Sequence, residues 1–135
     1  MQLSPYLSFN GQCEEAFKFY EQCLGARIDG MRTFATAPVD EQMPSGWRDK
    51  ILHATLTVGD TVLMASDASP DRYERPKGLW VSLHFEDPAE AERIFNALAA
   101  NGTVEMPFQK TFWSPGFGMC VDRFGIPWMI NCLRV

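Results

Sequence analysis

The 135-residue chain predicts an α+β fold built from two βαβββ modules, spanning approximately residues 1–70 and 78–135. Three observations predict it. Two helical patterns recur at a constant offset, each helix follows one short alternating segment and precedes three more, and neither half covers its own sheet without the other half or a partner.

In the first half, "SPYLSFNG" alternates Tyr6 and Ser8 against Leu7 and Phe9, the pattern of a strand with one covered face. "CEEAFKFYEQCLG" predicts a helix with Ala16, Phe19, Tyr20 and Cys23 on one side and Gly25 placed to end it. "ARIDGMRTFA" predicts a second strand, weakened by Gly30, and "TAPVDEQMPSGWRD" a long polar loop with two prolines. "KILHATLTVGDTVLMASD" predicts a hairpin that turns near Gly59 and Asp60.

"ASPDRYERPKG" separates the halves, and "LWVSLHFED" then alternates Val81, Leu83 and Phe85 with Trp80, Ser82 and His84. The second helix, "PAEAERIFNALAANG", has Pro88 in a favourable early position and an apolar side of Ala91, Ile94, Phe95 and Leu98. Each of these four lies 75 residues after Ala16, Phe19, Tyr20 and Cys23 in turn, which reads as a structural repeat. "TVEMPFQKTFW" with a bend at Pro107, "FGMCVD" and "IPWMINCLRV" complete the second set of strands. A ferredoxin-like domain is the competing architecture, and it leaves the second long hairpin unexplained.

Composition excludes several functions. A net charge of -5 and a sequence pI near 4.9, without any run of Lys or Arg, leave no footprint for nucleic acid. No apolar run approaches the roughly 18–20 residues of a membrane span, and the N-terminus carries no targeting pattern, so a cytoplasmic location is expected. Cys13, Cys23, Cys120 and Cys132 lack CxxC spacing and are expected to be free buried thiols.

In every strand one series is apolar and is expected beneath the helices: Leu7 and Phe9; Ala54, Leu56 and Val58; Val81, Leu83 and Phe85; Trp128 and Ile130. The other series mixes aromatic, hydroxyl, imidazole and amide groups: Tyr6, Ser8, His53, Thr55, Thr57, Trp80, Ser82, His84, Met129 and Asn131. Such a face suits a ligand cleft, because apolar area supplies binding energy while a few polar groups orient the ligand. A wet or dimer-covered outer face is the alternative.

Taken together, "PYLSFNGQCEEAFKFYEQCLGA", "HATLTVGDTVLMASD" and "DRFGIPWMIN" resemble the glyoxalase, bleomycin-resistance and extradiol-dioxygenase (vicinal oxygen chelate) superfamily, most closely its PhnB-like branch, whose members carry the label 3-demethylubiquinone-9 3-methyltransferase. The resemblance implies paired βαβββ modules whose curved sheets enclose a cleft, commonly in a homodimer. It also implies four positions for ligands to a divalent metal, at Ser4 or Pro5, near Met64, at Trp80 and at Met129. None suits a hard metal, which prefers imidazole or carboxylate, so no metal and no cofactor are expected. The glycines of "GARIDGM" form no dinucleotide-binding GxGxxG loop, and no site for S-adenosylmethionine is visible.

The expected ligand contacts are Tyr6, Ser8, His53, Ser66, Trp80, Ser82, His84, Trp113, Cys120, Met129 and Asn131. Trp80 and Trp113 are candidate walls that stack on a planar molecule. Cys120 is a candidate thiol if it faces the cleft, and a packing residue otherwise. Asp67 and Asp122 sit at strand ends, where aspartate commonly accepts backbone hydrogen bonds; gating of a cleft is the other reading. "KTFWSPGFG" reads as a turn or short lid. No catalytic residue is assigned. The leading function is metal-independent binding of a small apolar or aromatic molecule by a homodimer. The alternative is a lyase, isomerase or dioxygenase using a displaced metal at His53 or His84, or metal-free acid-base chemistry there.

Overall fold

Local alternation at Tyr6–Phe9 produces strand β1, with Leu7 and Phe9 buried and Tyr6 exposed. The computed structural model describes residues 1–36 and 46–133; the middle of the expected polar loop and the last two residues lie outside that range. Helix α1 (Cys13–Leu24) follows, closed by Gly25 in the left-handed region at φ 63°, where a side chain would be strained. Strands β2 (Arg27–Thr33), β3 (Ile51–Val58) and β4 (Thr61–Asp67) complete the first set, and β3 turns into β4 at Gly59 and Asp60 as the sequence predicts. The second set repeats the order: β5 (Val81–Phe85), α2 (Pro88–Ala99), β6 (Thr103–Gln109), β7 (Phe117–Val121) and β8 (Pro127–Cys132). The helices start and stop at the same 75-residue offset that the sequence shows.

The chain divides into two compact units, Met1–Glu74 and Arg75–Val135. Each holds one four-stranded mixed sheet of the same topology. In the first the order is β1-β4-β3-β2, with β1 parallel to β4 and the other pairs antiparallel; in the second it is β5-β8-β7-β6, with β5 parallel to β8. The predicted fold is therefore the observed one, two βαβββ modules. In each unit the helix packs on one face of its own sheet.

Burial refines the predicted faces. On α1 the inward residues are Cys13, Ala16, Phe17, Tyr20 and Cys23, so Phe17 and not Phe19 supplies the inward phenyl ring. Phe17 meets Phe9 edge-on at 6.3 Å, and a fully buried ring of this size contributes roughly 1.5–3 kcal/mol. On α2 the predicted Ala91, Ile94, Phe95 and Leu98 are the buried set. Val58 is only half-buried, next to the turn, and so are Val81, Leu83 and Phe85 on edge strand β5, whereas the equivalent edge strand β1 buries Leu7 and Phe9. Gly118 lets β7 approach α2: a Cβ there would stand 2.9 Å from the Phe95 ring. The register shifts in β2 and β6 mark irregularities near Gly30 and Pro107.

Two buried carboxylates tie these pieces together. Asp67, 4% exposed at the end of β4, accepts from the Cys13 N–H at 2.9 Å through Oδ1 and from the Ile51 N–H at 2.8 Å through Oδ2. It thereby caps α1 from another element, since Gln12 offers no side-chain cap. Asp122, 2% exposed, accepts from the Phe124 and Ile126 N–H groups at 2.8 and 3.0 Å, and from Trp128 Nε1 at 2.8 Å. The turn-aspartate reading holds for both. Replacing Asp122 with Ala should strand three buried donors and lower unfolding free energy by about 3–5 kcal/mol, while Asn should cost less. Urea denaturation of the two variants measures this.

Candidate functional site

The face of each sheet opposite its helix carries most of the expected contacts. In the second unit pairing aligns them in cross-strand rows. Ser82, Met129, Met119 and Met106 form one row, and His84, Asn131, Phe117 and Gln109 form the next. Pro127 pairs with Val121 at the following step, beside Trp80, which precedes β5. Three thioethers side by side make an adaptable apolar floor. Ser82 Oγ lies 3.2 Å from His84 Nε2, within hydrogen-bond reach.

An aromatic ledge borders this floor. Trp113 packs edge-on against Phe117 at 5.5 Å and against Phe112 at 4.8 Å, and Phe112 and Trp113 are 87% and 48% exposed. The ledge sits in the turn between β6 and β7, where the Thr111 N–H donates to the Ser114 carbonyl at 3.0 Å. The buried Ser114 hydroxyl anchors that turn, lying 2.7 Å from the carbonyls of Gly116 and of Cys132 and accepting from the Gly116 N–H. The segment "KTFWSPGFG" is thus a pinned turn. Next to Phe117, Asn131 Oδ1 is buried and has no hydrogen-bond partner among the described residues. A buried amide oxygen left without a donor is costly, by about 1–3 kcal/mol.

In the first unit Tyr6, Met64 and Thr55 share a cross-strand row, with Ser8 paired to Ser66 beside it. His53 lies between two hydroxyls, with Nδ1 3.3 Å from Tyr6 Oη and Nε2 3.4 Å from Thr55 Oγ1. The Tyr6 and His53 rings also stack obliquely at 5.9 Å. Among the described residues neither histidine has a carboxylate orienting it; both face hydroxyls. The second unit supplies the wider apolar surface, and the first a compact polar cluster.

Cys120 departs from the expected site. It pairs with Trp128, both are fully buried on the α2 side, and so its thiol does not front the face of Met119 and Met129. Burial, with the Asp122 carboxylate adding to it, pushes the Cys120 thiol from 9.0 up to about 12. Burial also raises Cys13, with Asp67 and Glu14 contributing, and raises Cys132 with help from Asp87. All four cysteines are free and buried. Alternation alone did not separate the Cys120 face from the Met119 face; the wide side chain of Trp128 opposite it is the signal that could have.

Residues 1–131 match the family model described as 3-demethylubiquinone-9 3-methyltransferase, and the chain belongs to that family. It is 39% identical to Protein YjdN of Escherichia coli strain K12, over 99% of this chain and 97% of that protein. A crystal structure of protein PA1353 from Pseudomonas aeruginosa is 50% identical, with a TM-score of 0.90 over 100% of this chain and 99% of that one. A PhnB protein from Bacillus cereus, titled a putative 3-demethylubiquinone-9 3-methyltransferase, shares the fold at 24% identity and a TM-score of 0.82, over 98% and 99% of the two chains.

The groups that the superfamily and the family's description imply do not fit these residues. Phe9 and Phe85 are equivalent in the two modules, each accepting a 2.8 Å hydrogen bond from the residue after its neighbouring strand. Counting back from them makes Ser4, not Pro5, the counterpart of Trp80, and Met64 the counterpart of Met129. A hydroxyl, an indole and two thioethers are a poor donor set for a hard divalent cation. Among the described residues, no three His, Cys, Asp or Glu side chains gather into a metal-binding group. For a nucleoside-bearing methyl donor the strand-to-helix turns are short and lack a glycine-rich loop, and Asp67 and Asp87 already cap the two helices.

The buried thiols give a direct check. No cysteine should react with Ellman's reagent at pH 8 in the native protein, and all four should react in guanidinium. Because the folded Cys120 pKa lies above its ordinary value, its contribution to stability is complete below about pH 9 and is lost as pH rises towards about 12. A wild-type stability curve that falls across that window more steeply than that of Cys120→Ala is the expected result.

Proposed function

We propose that this chain binds a small planar organic molecule without a metal, on the face of the second unit floored by Met106, Met119 and Met129 and edged by Trp113 and Phe117. The observation that carries the reading is the buried, unpartnered Asn131 Oδ1 beside an exposed aromatic ledge. A turn of the Asn131 side chain onto the face would let a ligand N–H or O–H satisfy that oxygen while a ring stacks on Trp113, and Ser82 and His84 offer further polar contacts. Trp80 remains a proposed contact on this face, Tyr6, Ser8, His53 and Ser66 remain proposed contacts on the face of the first unit taken by itself, and the buried Cys120 is not among them. Methyl transfer, isomerisation at a metal-bound enediolate and metal-dependent ring cleavage are not part of the proposal, because the residues present do not fit the groups those reactions need.

A homodimer is included in the proposal, supported by the exposed Val104 and Met106 on edge strand β6, an arrangement that proteins usually cover. A cytoplasmic setting is included as well, supported by the free thiols. No helix among the described residues is long and apolar enough to cross a membrane.

Calorimetric titration with a panel of planar aromatic metabolites and aromatic antibiotics should find a saturable ligand, with affinity unchanged by EDTA. Asn131→Leu should then show opposite effects on two readouts. Removing an unsatisfied buried acceptor should raise unfolding free energy by about 1 kcal/mol, while ligand affinity falls at least about tenfold. Loss of stability together with unchanged binding would contradict the proposed role of Asn131. Light scattering should give twice the 15.3 kDa chain mass.

A further inference from the structure

At one end of the same face of the second unit lies a cavity of about 310 Å³. Its apolar wall is formed by Trp80, Val121 and Pro127, continuing the rows of Met119 and Met129. Its polar rim is formed by Arg75 and Lys77, both exposed, with Glu105 on β6. The segment bearing Arg75 and Lys77 precedes β5, and the sequence pattern marked it only as a separator.

The charges at this rim are of one sign on the segment that precedes β5. Two of the chain's 12 Lys and Arg residues, Arg75 and Lys77, stand within three positions at the mouth of the cavity. Among the described residues the ion pairs formed are Lys18 with Glu14 and Arg27 with Asp29, so neither Arg75 nor Lys77 has an ionic partner. An unpaired guanidinium and an unpaired ammonium beside an indole wall suit an anion attached to an apolar ring. Glu105 disfavours a second anionic group, and the volume, near the lower limit of small-molecule sites, restricts the ring system to a small one.

We propose that the ligand class of this face is a small cyclic monocarboxylate whose ring lies against Trp80 and Pro127 and whose carboxylate is held by Arg75 and Lys77. This deepens the proposed function and rests on its reading that the face binds an organic molecule.

A matched pair of probes tests it: 1-naphthoic acid and its neutral carboxamide, titrated into the full chain and into the Arg75→Gln/Lys77→Gln double variant. Both substitutions are on the surface and leave the fold's buried contacts intact. In the wild type the acid should bind at least about tenfold more tightly than the amide, the advantage shrinking as salt rises from about 50 to 500 mM. In the double variant the advantage should fall to within about threefold, through loss of acid affinity alone, as expected when charge-assisted contacts go. Equal wild-type binding of acid and amide, or an advantage that survives in the double variant, overturns the carboxylate assignment while leaving the small-molecule reading in place. Failure of both probes also overturns the assignment, and only failure of the wider aromatic panel removes the underlying reading.

Discussion

The Asp122 carboxylate sets the register on which the candidate site depends. Its two oxygens hold the Phe124 and Ile126 N–H groups and the Trp128 indole, so the turn between β7 and β8 and the first large side chain of β8 are fixed together. With Trp128 locked beneath α2, alternation places Ile130 with it and leaves Met129 and Asn131 on the opposite face. A slip of one residue would exchange those sets, burying an amide under the helix and exposing the largest ring of the core. The site face therefore follows from a buried polar interaction on the other side of the sheet.

The two modules share a topology and solve one problem differently. In the first, the residue at the end of β4 opposite Phe9 is Asp67, whose carboxylate caps α1 and also holds the start of β3. In the second, the equivalent residue opposite Phe85 is Cys132, whose buried thiol cannot serve as a carboxylate cap. The sequence compensates locally: Asp87 caps α2 through the Ala89 N–H at 3.1 Å, with Pro88 in the first helical position. Without a carboxylate at its end, β8 presents Met129 and Asn131 on a strand whose tail is held by backbone and by Ser114 instead.

Much of the framework was legible because short-range periodicity determines it. The 75-residue offset between the helices, the Gly59 and Asp60 turn and the alternation of β1 and β8 need only neighbours in sequence. Phe17 in place of Phe19 is a choice between two helical spacings, Cys13–Ala16–Phe17–Tyr20 and Ala16–Phe19–Tyr20–Cys23, that periodicity alone leaves open. The half-burial of Val81, Leu83 and Phe85, where the equivalent edge strand β1 buries Leu7 and Phe9, depends on packing from distant parts of the chain and not on the strand's own alternation. The site was legible as a mixture of residue types on one face. Its specific features were not: the alignment of three methionines from three strands, the unpartnered Asn131 oxygen and the basic rim at Arg75 and Lys77 all arise from register and from a connecting segment.

Family membership and chemistry separate clearly in this protein. The sheet positions at which the sequence resemblance implied metal ligands are occupied by Ser4, Met64, Trp80 and Met129, a set suited to apolar contact more than to a hard cation. The central claim is that an organic ligand lies on the methionine face of the second unit. Methyl-selective NMR of the methionine-labelled protein, titrated with a planar compound that the protein binds saturably, tests it most directly. Shifts concentrated at Met106, Met119 and Met129, with the other methionine methyls unmoved, are the predicted result. Saturable binding that leaves those three methyls unperturbed would contradict the account.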